Sequence, residues 1–186
     1  KIQKRIKNNI KMKNSLTFII LIVFIASCSE EKSSSKIRPL LKEQLKYSHF
    51  EENWFVPTKI AINGLKPEQV NWKDSTQNHS IGELVSHLTY WNDVYLRALK
   101  GEDVSDFDID NDTTFLIYTE KEWKNVTSKL DSVQMEFDNW AENATEEQLS
   151  EEAPNILTMV SHNAYHSGQI IYIRKQNGWW NRKQAQ

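Results

Sequence analysis

Trp123, Val126, Leu130, Val133, Phe137 and Trp140 follow one another at steps of three and four without a break. An α-helix turns once every 3.6 residues, so this spacing keeps all six side chains on one face. Such a stripe is a seam for packing against other helices, as in a bundle or coiled coil. It predicts a helix that ends near Asn143, and it reads as core rather than as a ligand site. Strand-like alternation is absent. Gly and Pro number only five and four, and seven Trp suit a compact helical domain better than a sandwich. The fold class expected is all-α, a four-helix bundle.

Three further helices complete that expectation. Residues 37–63 carry Leu41, Leu45, Tyr47, Trp54 and Phe55 as a rough stripe, with Pro39 in the first turn and Asn63-Gly64 as a stop. Pro57 should kink or split this helix, since it has no N–H to donate. Residues 65–77 read as a loop with one helical turn at Pro67-Glu68-Gln69. The second helix starts at Ser80, an N-cap with Glu83 three residues on, and stops at Lys100-Gly101. Its inward stripe is Ile81, Leu84, Leu88, Trp91 and Tyr95. The fourth helix is expected to begin at Pro154, placed as an N1 proline, and to end at Asn177-Gly178. Ile156, Leu157, Val160, Ile170, Ile171 and Ile173 predict burial on most of its sides, and residues 145–149 read as a short turn or loop. Residues 101–114 alternate Asp106, Asp108, Asp110 and Asp112. The calcium-loop pattern fails there, because Gly is missing from its sixth position and Ile117 stands where the bidentate Glu belongs. The segment reads as a solvated connector. No Gly-rich phosphate loop, Walker motif or internal repeat occurs.

The beginning of the chain reads as an address. Residues 15–26 are the apolar run SLTFIILIVFIA, preceded by Lys11 and Lys13, which is the pattern of a signal peptide. The run is shorter than the roughly 20 apolar residues of a membrane span. It ends Ile25-Ala26-Ser27-Cys28, which resembles the bacterial lipobox, and Cys28 is the only Cys, so no intrachain disulfide is available. Cys28 is therefore the expected lipidation site; a free Cys at a conventional cleavage site is the alternative. The expected divisions are a signal peptide at 1–27, a lipidated flexible tether at 28–36, the bundle at 37–180 and a tail at 181–186. Met12 is the expected start, with residues 1–11 not translated. Residues 1–27 hold six basic residues and no acid, which leaves 17 basic against 25 acidic in the mature part. That acidic balance argues against nucleic acid as a partner.

His162 and His166 lie four apart on the fourth helix, and so on one face. Two imidazoles so placed can share a metal ion, although no Glu follows the first His as in the metalloprotease motif. His87 lies on the inward half of the second helix. Alone it reads as a satisfied core histidine; facing the pair, it completes three imidazoles for one ion, with a fourth position open. Gln169 and Asn155 fall between the directions of His162 and His166, where their amides could bond a ligated water or a ring. Trp91 and Tyr165 flank the same region. His79 reads as a solvated loop residue, and the direction of His49 is undetermined.

The segments NGLKPEQVNW, SIGELVSHLTYWNDVYLRALKGE and HNAYHSGQIIYIRKQNG, taken together over residues 37–180, resemble the DinB-like four-helix bundles. This superfamily includes YfiT-type metal-dependent hydrolases and bacterial thiol transferases. The resemblance implies a left-handed bundle with long crossovers, not an up-down meander. It maps the family's three metal-ligating histidines onto His87, His162 and His166, and implies a divalent metal, zinc or nickel. It matches Gly168 to a family glycine, where close helix approach would be the physical reason.

Two functions follow. One is a metal-dependent hydrolase or transferase with a small-molecule substrate. An envelope lipoprotein anchored to a bacterial membrane outside the cytoplasm would not meet the cytosolic thiols that family members use, which favours hydrolysis. The sequence also offers no inward Glu or Asp beside the histidines as a base. The other function is a lipid-anchored, non-catalytic metal- or ligand-binding module. Three unmetallated core histidines are the plain alternative to both, and a homodimer is left open as the assembly.

Overall fold

Helix boundaries follow from caps wherever the chain supplies them. The computed structural model describes residues 36–105 and 110–181, and six α-helices form there: α1 (Ile37–His49), α2 (Thr58–Ile62), α3 (Pro67–Val70), α4 (Ile81–Leu99), α5 (Glu120–Asn143) and α6 (Glu146–Gln176). A 3₁₀ turn lies at Asn111–Thr114, and no strand occurs among the described residues. The segments read from the sequence as a signal peptide and, up to residue 35, as a tether, with Cys28, lie outside the described residues, as do Asp106, Asp108 and residues 182–186. No helix of the described residues is long and apolar enough to cross a membrane.

Ser80 caps α4 as expected: its hydroxyl accepts the Glu83 N–H, and the Glu83 carboxylate accepts the Ser80 N–H. Thr119 with Glu122, and Thr145 with Gln148, make the same reciprocal cap at α5 and α6. The last of these corrects the sequence reading. α6 starts at Glu146, and Pro154 sits inside it rather than at its first turn. Pro154 and Ser150, whose carbonyl loses its helical donor, are both exposed, so water meets the freed group. Fully buried Leu149 anchors the added turns. The expected first helix is also divided: α1 ends at His49, and α2 begins only after Pro57, which is extended and acts as its N-cap. The turn expected at Pro67 is α3.

Four long helices form the bundle. α4 packs on α5, α5 on α1, α1 on α6 and α6 on α4, while α2 leans on α6. α5 and α6, joined only by Ala144 and Thr145, face each other across a diagonal, as do α1 and α4. The bundle is thus not an up-down meander. The α5 seam buries Trp123, Leu130, Val133 and Phe137, with Val126 and Trp140 half-buried. Burial of α6 is one-sided: Ile156, Val160 and Ile170 are inside, whereas Leu157 is exposed.

The core is two apolar clusters rather than one. Leu96, Val133, Phe137 and Val160 belong to the first, and Leu84, Val85, Leu130 and Ile170 to the second. Along α4, α5 and α6 the boundary between them falls at Asn92, Gln134 and Asn163, all buried. Asn92 donates to Asn163 at 2.9 Å, Asn163 returns a bond at 3.1 Å, and Gln134 donates to Asn92 at 2.7 Å. Amides that leave water need such partners. This polar layer is the level at which the histidines of α6 enter the bundle.

Candidate metal centre

The i, i+4 spacing on α6 brings His162 and His166 side by side, and α4 delivers His87 from across the interface. His87 Nε2 lies 3.1 Å from His162 Nε2, and His166 Nε2 lies 3.0 Å from the same atom. One ligating atom from each of the three rings lies within 4.8 Å of the other two. Nitrogens bound at 2.0–2.1 Å to a tetrahedral zinc would sit roughly 3.3–3.4 Å apart, so the site needs little adjustment to hold such an ion.

The outer nitrogens fix the chemistry of the inner ones. His87 Nδ1 is 2.8 Å from the Thr114 hydroxyl, which gives its own proton to the Asn111 carbonyl at 2.7 Å. That hydroxyl must therefore accept, and His87 carries its proton on Nδ1. His166 Nδ1 is 2.6 Å from Gln169 Oε1, an acceptor only, so it too donates. Both Nε2 atoms then present lone pairs toward His162 Nε2. His162 has at most one proton there, enough for one neighbour. The other contact is lone pair against lone pair, a conflict that a cation resolves.

Electrostatics points the same way. Burial pushes His87 down to about 4, with His166 and His162 adding to the effect. Burial also takes His166 to about 4, His162 lowering it further while the Gln169 bond opposes. His162 is lowered by burial. All three rings are neutral at pH 7, which is the form that ligates metal.

The histidines open onto a cavity of about 860 Å³ walled by Leu84, Trp91, Tyr95, Phe115 and Met159. No carboxylate lines it among the described residues. The four other residues read from the sequence all reach this cavity, in different roles. Gln169 holds the His166 ring. Tyr165 meets that ring edge-on at 5.0 Å and is mostly exposed. Trp91 meets His87 edge-on at 6.5 Å and donates to Asn111 at 3.2 Å. Asn155 is turned to Glu152 at 3.1 Å, so it belongs to the rim and not to a ring.

Several expectations change. His79 is a partly exposed loop residue, as expected, but its ring also stacks on Phe115 with centroids 3.7 Å apart and lines the cavity. His49 is buried against Asp131 and is not among the cavity's lining residues. Gly168 is exposed, and a Cβ there would meet nothing within 4 Å, so close helix approach does not explain it. Gly82 is the glycine with that constraint, since its Cβ would fall 2.8 Å from Val70 Cγ1. The acidic connector is more than solvated loop, because Thr114 at its end is buried and holds His87. Thr114 and Phe115, which stacks on His87 at 4.4 Å, were not legible as site residues, since no periodicity or motif marks them.

A family model described as the DinB superfamily matches residues 50–170, a span that holds all three histidines. No curated protein and no solved structure matches the chain.

Proposed function

The chain belongs to the DinB superfamily, and from that premise we propose that it is a divalent-metal-dependent hydrolase or transferase acting on a small molecule at His87, His162 and His166. The observation that carries this reading is the pair of Nδ1 hydrogen bonds, from His87 to Thr114 and from His166 to Gln169. They direct two ring lone pairs at one point and keep the rings from turning away. Three protein ligands leave the fourth position of a tetrahedral ion for water or substrate. A bound zinc or nickel ion would supply acidity to a ligated water or thiol, making it a nucleophile at neutral pH. Trp91, Phe115 and Met159 wall the space beside the histidines with apolar surface. The cavity volume is that of a small-molecule site.

Residues 15–26 and Cys28 support a lipid anchor in the cell envelope, outside the cytoplasm. On that placement hydrolysis is preferred to transfer from a cytosolic thiol. Labelling by a fatty-acid analogue tests the anchor, which is withdrawn if Cys28→Ala remains membrane-bound. One observation favours the second reading, a lipid-anchored metal- or ligand-binding module without turnover: among the described residues no carboxylate lines the cavity to act as a base.

The test is metal analysis of protein purified without an affinity tag. About one divalent ion per chain is expected, lost in His162→Ala. Substoichiometric metal unaffected by that substitution defeats the site. With metal present, an ester, amide and thiol-conjugate screen on wild type and His87→Ala separates enzyme from binder, and equal activity in both sinks the enzyme reading.

A further inference from the structure

His79 precedes α4 at the place where the metal cavity adjoins a second one, of about 460 Å³, and it lines both. Its ring lies on Phe115 at 3.7 Å and 5°, and Phe115 lies on His87 at 4.4 Å and 3°. Two parallel rings cannot share one face of Phe115, so Phe115 is the middle of a three-ring stack. The stack sets His79 at a fixed position beside the triad without making it a ligand.

The two ring nitrogens of His79 have different surroundings. Nδ1 is buried without a hydrogen-bond partner and lies 3.7 Å from Glu83 Oε2. Burial works to raise the Glu83 carboxyl, but the Ser80 N–H and Lys73 outweigh it and hold the group below its usual range. An ionised carboxylate facing Nδ1 favours the ring proton on that nitrogen and leaves the lone pair on Nε2. The gap is longer than a hydrogen bond, as such contacts often are before a ligand binds. The side chain is 41% exposed while Nδ1 is buried, so the open edge is the one bearing Nε2. Among the described residues, the titratable groups that line the metal cavity besides the triad are His79, Tyr95 and Tyr165. The charged groups around His79 are Glu83, its partner Lys73 and Asp74 in the second cavity, and the neutral rings of His87 and His166 are the nearby titratable groups of the triad.

We propose that His79 is the proton-transfer residue of this site, its Nε2 exchanging a proton with the molecule held between the metal centre and the second cavity, and that Glu83 orients it through Nδ1. The proposal rests on the metal-centre reading. Nε2 accepts the proton of a neutral water or thiol as that O–H or S–H bond breaks and the freed oxygen or sulfur bonds to the electrophilic atom of the substrate. The same proton passes to the departing group as its bond breaks, and the imidazole returns to neutrality. Among the described residues, no carboxylate of the cavity lining offers such a base.

The test uses the full chain loaded with one equivalent of zinc and acetohydroxamic acid as the probe, which loses a proton when it ligates metal. Calorimetry in buffers of different ionisation enthalpy counts the protons released. Wild type is expected to retain the proton, whereas His79→Phe, which keeps the ring stack, releases about one more per probe bound. Equal counts overturn the proposal. Two-bond ¹⁵N–¹H spectra give a readout that needs no probe. His79 is expected as the Nδ1–H tautomer, shifting toward Nε2–H in Glu83→Gln, which still offers Ser80 an acceptor. An Nε2–H form in wild type overturns the proposal whether or not the probe binds. Absence of zinc uptake defeats the metal-centre reading and this proposal with it; zinc uptake with equal proton counts defeats this proposal alone.

Discussion

His49 on α1 and His166 on α6 are both buried imidazoles, and their partners differ in kind. His49 Nε2 meets Asp131 Oδ1 at 2.6 Å, and Lys59 takes the other oxygen of the same carboxylate at 2.8 Å. The Asp131 carboxylate thus answers both the buried imidazole and the Lys59 ammonium. His166 meets an amide oxygen on one side and another imidazole on the other. A buried polar cluster closed on itself fastens α1, α2 and α5 together. One that turns several lone pairs toward a single point is complete only with a cation. Residue type and burial do not distinguish the two places, but the partners do.

The largest effect expected from this contrast is in metal affinity. His166→Ala should weaken zinc binding by about a hundredfold or more, measured by competition with a chelator, while His49→Gln leaves it unchanged. Similar losses in both would erase the distinction. Next in size are the residues behind the rings. Thr114→Val and Gln169→Leu each remove an acceptor for Nδ1 and should cost about 10- to 100-fold in zinc affinity without unfolding the chain. Unaltered affinity in both would mean that the tautomers are not held as described.

Stability sharpens the other half of the comparison. Asp131→Ala strips a buried imidazole of its partner and should cost about 1–3 kcal/mol in denaturant unfolding, with zinc affinity retained. The acid response carries a sign as well. Burial holds His49 below its ordinary 6.5, against the upward pull of the Asp131 bond. The native state therefore keeps His49 neutral where the unfolded chain takes a proton. Its contribution is complete above pH 6.5 and is lost as pH falls below that toward the depressed native value. In zinc-loaded protein, thermal stability between about pH 7.5 and 5.5 should fall less in His49→Gln than in wild type. An identical fall in both would show that His49 does not titrate as its surroundings require.

The smallest contrast is between two glycines. Gly82→Ala drives a methyl into Val70 and should cost about 1–3 kcal/mol. Gly168→Ala meets open space on a helix and should gain about 0.5–1 kcal/mol. The two look alike in the sequence, because space is a tertiary property.

The same division runs through the rest of the chain. The α5 seam and the Ser80 cap were readable because period and capping are local. The triad was readable because His162 and His166 share a face by spacing and His87 sits on an inward stripe. Pro154 misled because its preference for a first turn is weaker than the Thr145 cap and the burial of Leu149. Thr114, Phe115 and the place of His79 were hidden, since each depends on a loop folding back over α4. The Asn92–Gln134–Asn163 layer was hidden for a related reason: three isolated amides become a network only when three helices meet.

The most direct test of the central claim is the zinc-edge X-ray absorption spectrum of the full chain carrying one equivalent of zinc. Three imidazole nitrogens and one further light ligand, all at about 2.0–2.1 Å, are the expected shell. A shell with fewer than two imidazoles, or zinc that a weak chelator strips as readily from wild type as from His166→Ala, would contradict it.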